Sequence, residues 1–126
     1  MQVVTPDNVE RFLSVHRRWS VLTGQTLKWD LWELWSCSSR TSLKAHGRCL
    51  RVGFPVDMRY GWDLRRKDHQ DKLDKVYWTF VPEIELGAPD CRLYSRAARK
   101  PDLKKREVGR ARDRPGLQWL YKHCKW

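Results

Sequence analysis

Between residues 49 and 64 the chain reads CLRVGFPVDMRYGWDL, and every even position is apolar or aromatic, from Leu50 and Val52 through Phe54, Val56, Met58 and Tyr60 to Trp62 and Leu64. Alternation with a period of two marks a strand with one buried face. The segment therefore predicts two strands, 48–54 and 56–64, separated at Pro55, which cannot donate to a ladder. The run KVYWTFV at 75–81 is almost wholly β-branched or aromatic. It predicts a further strand, paired antiparallel with 56–64 across a charged hairpin loop at 65–74. Shorter strands are expected at 83–87 and around 91–94.

Helical spacing dominates elsewhere. Thr5-Pro6-Asp7 reads as an N-cap, a proline at the first helical position and an acidic first turn. Val9, Phe12, Val15, His16, Trp19 and Leu22 then recur at three- and four-residue steps until Gly24. The stretch TLKWDLWELWS, 26–36, fits both periods and is read as a second helix, which leaves Trp29, Trp32 and Trp35 too widely spread to enter one small core. That surplus is compatible with a homodimer interface. The serine-rich 37–48 reads as a loop. At the other end, Leu117, Leu120, Tyr121 and Cys124 predict a short helix that docks back on the body. The expected fold is α+β, with N-terminal helices packed on a small antiparallel sheet. Its parts are a core at 1–91, a basic arm or loop at 92–116, and a docking helical segment at 117–126.

Composition adds the direction of binding. The 126 residues are of single-domain size, and 26 Lys and Arg against 15 Asp and Glu give a formal charge of +11. Arginine predominates, and its planar fork suits bidentate phosphate contacts and stacking on bases. Ten cations lie between 92 and 114: Arg92, Arg96, Arg99, Lys100, Lys104, Lys105, Arg106, Arg110, Arg112 and Arg114. Only Asp102, Glu107 and Asp113 oppose them. Proline and glycine at 101, 109, 115 and 116 argue against one long helix there.

These features predict a non-catalytic nucleic-acid-binding protein, with RNA favoured over DNA, that holds the phosphate backbone through the arm as a ribonucleoprotein component or RNA-sequestering factor. The odd-numbered face of 49–64, with Arg51 and Arg59, continues the positive surface together with Arg65 and Arg66. Tyr77, of opposite parity to Trp78, is the ring expected to meet the ligand, while Tyr60, Trp62 and Trp78 read as core.

Two other classes fit the same charge. A metal-independent endoribonuclease would draw on His16, His46, His69 or His123 as acid and base. An interaction protein would dock the arm on an acidic protein surface. Cys37, His46 and Cys49 are spaced too irregularly for a zinc knuckle, so no metal and no cofactor is expected. No segment has the length and apolarity of a membrane span, and the four cysteines are expected to stay reduced, in a cytoplasmic or nuclear setting without membrane contact.

Overall fold

The computed structural model describes residues 2–87 and 103–123. Helix α1 spans Val9–Thr23, strand β1 Leu31–Leu34, helix α2 Arg40–Gly47, a 3-10 turn Met58–Tyr60, helix α3 Lys67–Phe80, strand β2 Ile84–Gly87 and helix α4 Leu103–His123. The class is α+β, but the sheet is parallel where antiparallel pairing was expected. β1 pairs with β2 in the register Leu31↔Ile84 to Leu34↔Gly87. On its other edge it makes parallel bridges from Leu31 to Val52 and from Leu34 to Val56. Parallel neighbours need crossover connections, and helices supply them here: α2 lies between β1 and Val52, and α3 between Val56 and β2.

β1 corrects the expectation of a helix at 26–36. A parallel strand flanked on both edges is buried on both faces and reads as a continuous apolar run, and every residue of LWEL is buried. Trp29 and Trp32 are also buried, and Trp35 packs against the same cluster. The Trp29 and Trp32 rings lie 5.7 Å apart and both pack on Phe54, so the surplus that pointed to a homodimer is taken up by the core. The Trp32 indole N–H donates to the Phe54 carbonyl at 3.0 Å. Trp62 does the same to the Val4 carbonyl at 2.8 Å, which anchors the N-terminal segment.

The 49–64 alternation holds for Phe54, Val56, Trp62 and Leu64, all buried, and fails for Leu50 and Met58, which are exposed. Instead of two regular strands the segment forms single bridges and a 3-10 turn. Gly53, on the face expected to approach a ligand, approaches the core instead: a Cβ there would stand 2.5 Å from Trp29 Cζ3 and 2.6 Å from Trp32 Cδ1.

Residues 67–80, expected as loop and then strand, form one helix, α3. His69, Gln70, Leu73, Val76, Tyr77 and Phe80 form the buried stripe of α3, a helical period that runs across the charged stretch and overrides the β-propensity of 75–81. The helix ends at Val81 in a left-handed conformation, φ 38°, just before Pro82. The 37–48 stretch holds α2, whose buried positions are Ser42 and Ala45. Its inner face is small and polar because it hydrogen-bonds Glu33 of β1. The Glu33 carboxylate accepts from the Ser42 amide at 3.1 Å and from its hydroxyl at 2.6 Å.

α1 ends at Gly24 in the left-handed region, φ 68°. It starts in regular form at Val9, later than the expected threonine cap. Ahead of it the Thr5 carbonyl accepts from the Asn8 and Val9 amides, and the Thr5 amide donates back to Asn8 Oδ1 at 2.8 Å. α4 replaces both the described part of the expected arm and the short terminal helix, with Pro115 inside it. Gly116 is where α4 passes closest to Leu64: a Cβ there would stand 3.2 Å from the Leu64 carbonyl oxygen, a tight contact. The strand expected at 91–94 lies outside the described residues. None of the described helices is long and apolar enough to cross a membrane.

Candidate nucleic-acid interface

α4 is joined to the body by its C-terminal turns. Trp119 is buried and donates its indole N–H to Asp74 Oδ1 of α3 at 3.0 Å. One turn on, the His123 ring lies between two carboxylates, with Nδ1 2.9 Å from Asp74 Oδ1 and Nε2 2.9 Å from Glu85 Oε1 of β2. Only an imidazolium can donate from both nitrogens. Burial works against that charge, but the hydrogen bonds and attraction of Glu85 and then Asp74 prevail, and the His123 pKa stands above the usual histidine value. The ring also stacks on Trp119 at 4.8 Å and meets the edge of Tyr77 at 4.5 Å. This clamp fixes α4 against α3 and β2 and so determines where its outer face points.

That outer face is cationic. α4 carries seven Lys and Arg against Glu107 and Asp113. Arg110, Arg114, Gln118 and Lys122 follow one another at four-residue steps on the exposed side, with Tyr121 beside them. Lys105, Arg114 and Lys122 have no carboxylate in ion-pairing reach among the described residues, while Arg112 has Asp113 at 3.7 Å.

Between this helix and α3 runs a groove of about 530 Å³, lined among others by Lys67, Gln70, Trp78, Gln118 and Lys122. Trp78, 71% exposed, stands in its wall, whereas Tyr77 is 3% exposed and belongs to the core. The two rings are thus the reverse of the strand-based expectation, because Tyr77 continues the buried helical stripe Leu73, Val76 and Phe80 and Trp78 falls about 100° off it.

Three of the expected cations are largely neutralised locally. Arg65 grips Asp63 through two hydrogen bonds, 2.8 and 3.0 Å, which hold the Asp63 carboxyl below its ordinary value. Arg66 does the same to Asp68 at 3.1 and 2.8 Å. Arg51 has Asp30 at 3.6 Å. Arg59 is exposed on the 3-10 turn, with no carboxylate in ion-pairing reach of its side chain among the described residues. Arg92, Arg96, Arg99 and Lys100 lie outside the described residues, and Lys104 and Arg106 belong to α4.

The histidines take separate positions. The Asp63 amide donates to His69 Nδ1 at 2.9 Å, and burial followed by the nearby Arg66 lowers the His69 pKa. The His16 ring lies 4.5 Å from Phe80 and is likewise lowered by burial. Among the described residues no three His, Cys, Asp or Glu gather as a metal-ligand set, and Cys37 and Cys49 are exposed free thiols. Comparison with protein-family models, curated proteins and solved structures finds no match to this chain.

Proposed function

We propose that the chain binds nucleic acid without catalysis, RNA in preference to DNA, by laying the phosphate backbone along the outer face of α4. The observation that carries this reading is the row Arg110, Arg114 and Lys122 on one exposed helix face, with the exposed rings of Tyr121 and Trp78 in its vicinity. Successive members of a four-residue step are about 6 Å apart along the axis, so the row offers a line of charge to a polyphosphate chain. Each contact releases condensed counterions. Trp78, at the wall of the groove, provides a stacking surface for an unpaired base, which favours single-stranded or looped RNA over duplex. In sequence, Arg92, Arg96, Arg99 and Lys100 precede this helix and add to the local positive charge.

The test is a titration of single-stranded RNA, duplex RNA and duplex DNA at several salt concentrations. Three to five backbone contacts on a single strand give a log–log salt slope of about −2 to −4. Reversing charge at Arg110, Arg114 and Lys122 together should flatten that slope and weaken binding by about tenfold or more. Affinity indifferent to salt, or a triple variant that binds like the parent, overturns the reading.

A further inference from the structure

α1 has two apolar rows. Val9 and Leu13 face the core. Beside them Phe12, Val15, Trp19 and Leu22 form a second row at three- and four-residue steps, and of these Val15, Trp19 and Leu22 are exposed, at 58, 38 and 86%. The row borders a concave groove of about 580 Å³ whose far wall is Leu27 and Phe80. The His16 ring lies 4.5 Å from Phe80 and forms part of the groove's lining, and burial lowers its pKa. Along the outer edge of the row stand Arg11 and Arg18, exposed and without a carboxylate in reach among the described residues. Seven residues of helix separate them by about 10 Å along the axis.

An exposed apolar row edged by two cations one heptad apart is complementary to one kind of surface: an amphipathic helix whose own apolar row is edged by carboxylates at the same interval. A second copy of this chain does not meet that need, because a twofold contact through the groove would set Arg11 and Arg18 against the same pair in a protein of charge +11. The stretch 88–102 of the chain itself is net basic and would repel the same edge. A flat bilayer surface would reach the exposed Val15 and Leu22 but leave the half-buried Phe12 and Leu27, which line the concavity, without a partner.

We propose that the groove between α1 and the Leu27–Phe80 wall docks an acidic amphipathic helix of a partner protein, its apolar side chains seated on Phe12, Val15, Trp19 and Leu22 and one carboxylate on each of Arg11 and Arg18. This surface is separate from the cationic face of α4, and either can fail without the other.

Panning a phage-displayed library of helical peptides on the full chain tests the proposal. The enriched peptides should share an apolar i, i+3, i+4, i+7 pattern with Asp or Glu seven positions apart on its flank. A synthetic peptide of that consensus should lose about tenfold or more in affinity for R11E/R18E. The same peptide with its acidic residues changed to Lys should recover binding to R11E/R18E, which excludes misfolding of the variant as the cause of the loss. No enrichment, enrichment without the acidic pattern, or unchanged affinity after charge reversal overturns the proposal. So do two reassignments: cosedimentation with phosphatidylserine vesicles abolished by V15S/L22S, or a dimer of the chain dissolved by the same variant.

Discussion

The rings of Trp29 and Phe80 lie parallel, 1° from coplanar orientation and 4.0 Å between centroids. They join the residue that leads into β1 to the last turn of α3, and the Trp29 amide donates to the Phe80 carbonyl at 3.2 Å. Phe80 also meets Phe12 and His16 of α1, so one side chain ties two helices to the sheet. Phe80→Ala should destabilise the fold by about 3–5 kcal/mol. Urea unfolding should show this as a lower midpoint at unchanged slope.

Gly53 is where the backbone of the 51–56 segment passes the tryptophans of the core. Gly53→Ala places a methyl group into Trp29 and Trp32, neither of which has room to withdraw. A loss of about 3 kcal/mol is expected, read as a drop in melting temperature, whereas Gly47→Ala, with nothing within 4 Å of its Cβ, should be near neutral.

Glu33 is 8% exposed and depends on Ser42 for two of its hydrogen bonds. Ser42→Ala removes the hydroxyl and leaves a buried carboxylate under-satisfied, at a cost of about 1–3 kcal/mol. The double variant Glu33→Gln/Ser42→Ala should be less destabilised than the sum of the two single changes, because the pair is coupled. Equilibrium denaturation of all four proteins checks this.

The pH dependence of stability has two windows. His123 has a raised pKa in the folded state, so its contribution is fully present below the unfolded value of about 6.5 and is lost as pH rises through the folded pKa. His16 and His69 have lowered values, so their contributions are present above about 6.5 and are lost as pH falls through their folded pKa values. The unfolding free energy should therefore decline on both sides of that value. His123→Gln should remove the decline on the alkaline side and leave the acidic side in place, as measured by urea unfolding across a pH series.

Trp78→Ala tests the stacking element of the proposed interface by itself. The side chain is largely exposed, so the fold should be unaffected. Affinity for single-stranded RNA should fall by about 1–3 kcal/mol while binding to duplex and the salt slope stay as they are. An equal loss on duplex would assign Trp78 a role other than base stacking.

The legible parts of the fold were those whose signal is local. α1 and its glycine stop, the strand that became β2, and the burial of Phe54, Val56, Trp62 and Leu64 follow from period and turn chemistry. α2 was hidden because its buried face is serine and alanine, which carry no hydrophobic periodicity. α3 was hidden because its stripe begins among charges at His69 and Gln70 and ends among β-formers, so that neither half shows the whole period. At the interface, the neutralisation of Arg65 and Arg66 was readable, since Asp63 and Asp68 lie two residues away. The His123 clamp was not, because Asp74 and Glu85 lie 49 and 38 residues from it and only the folded chain brings them together.

β1 finds its neighbours far along the chain, at Val52 on one edge and at Ile84 on the other. No nascent or truncated piece that stops short of β2 can complete this sheet, and the loops that must close are long compared with a hairpin's. Pairing β1 with both neighbours therefore closes long loops and is expected to be slow compared with a hairpin. A proteolytic cut within α3 should thus release the whole core at once, with no stable half left behind.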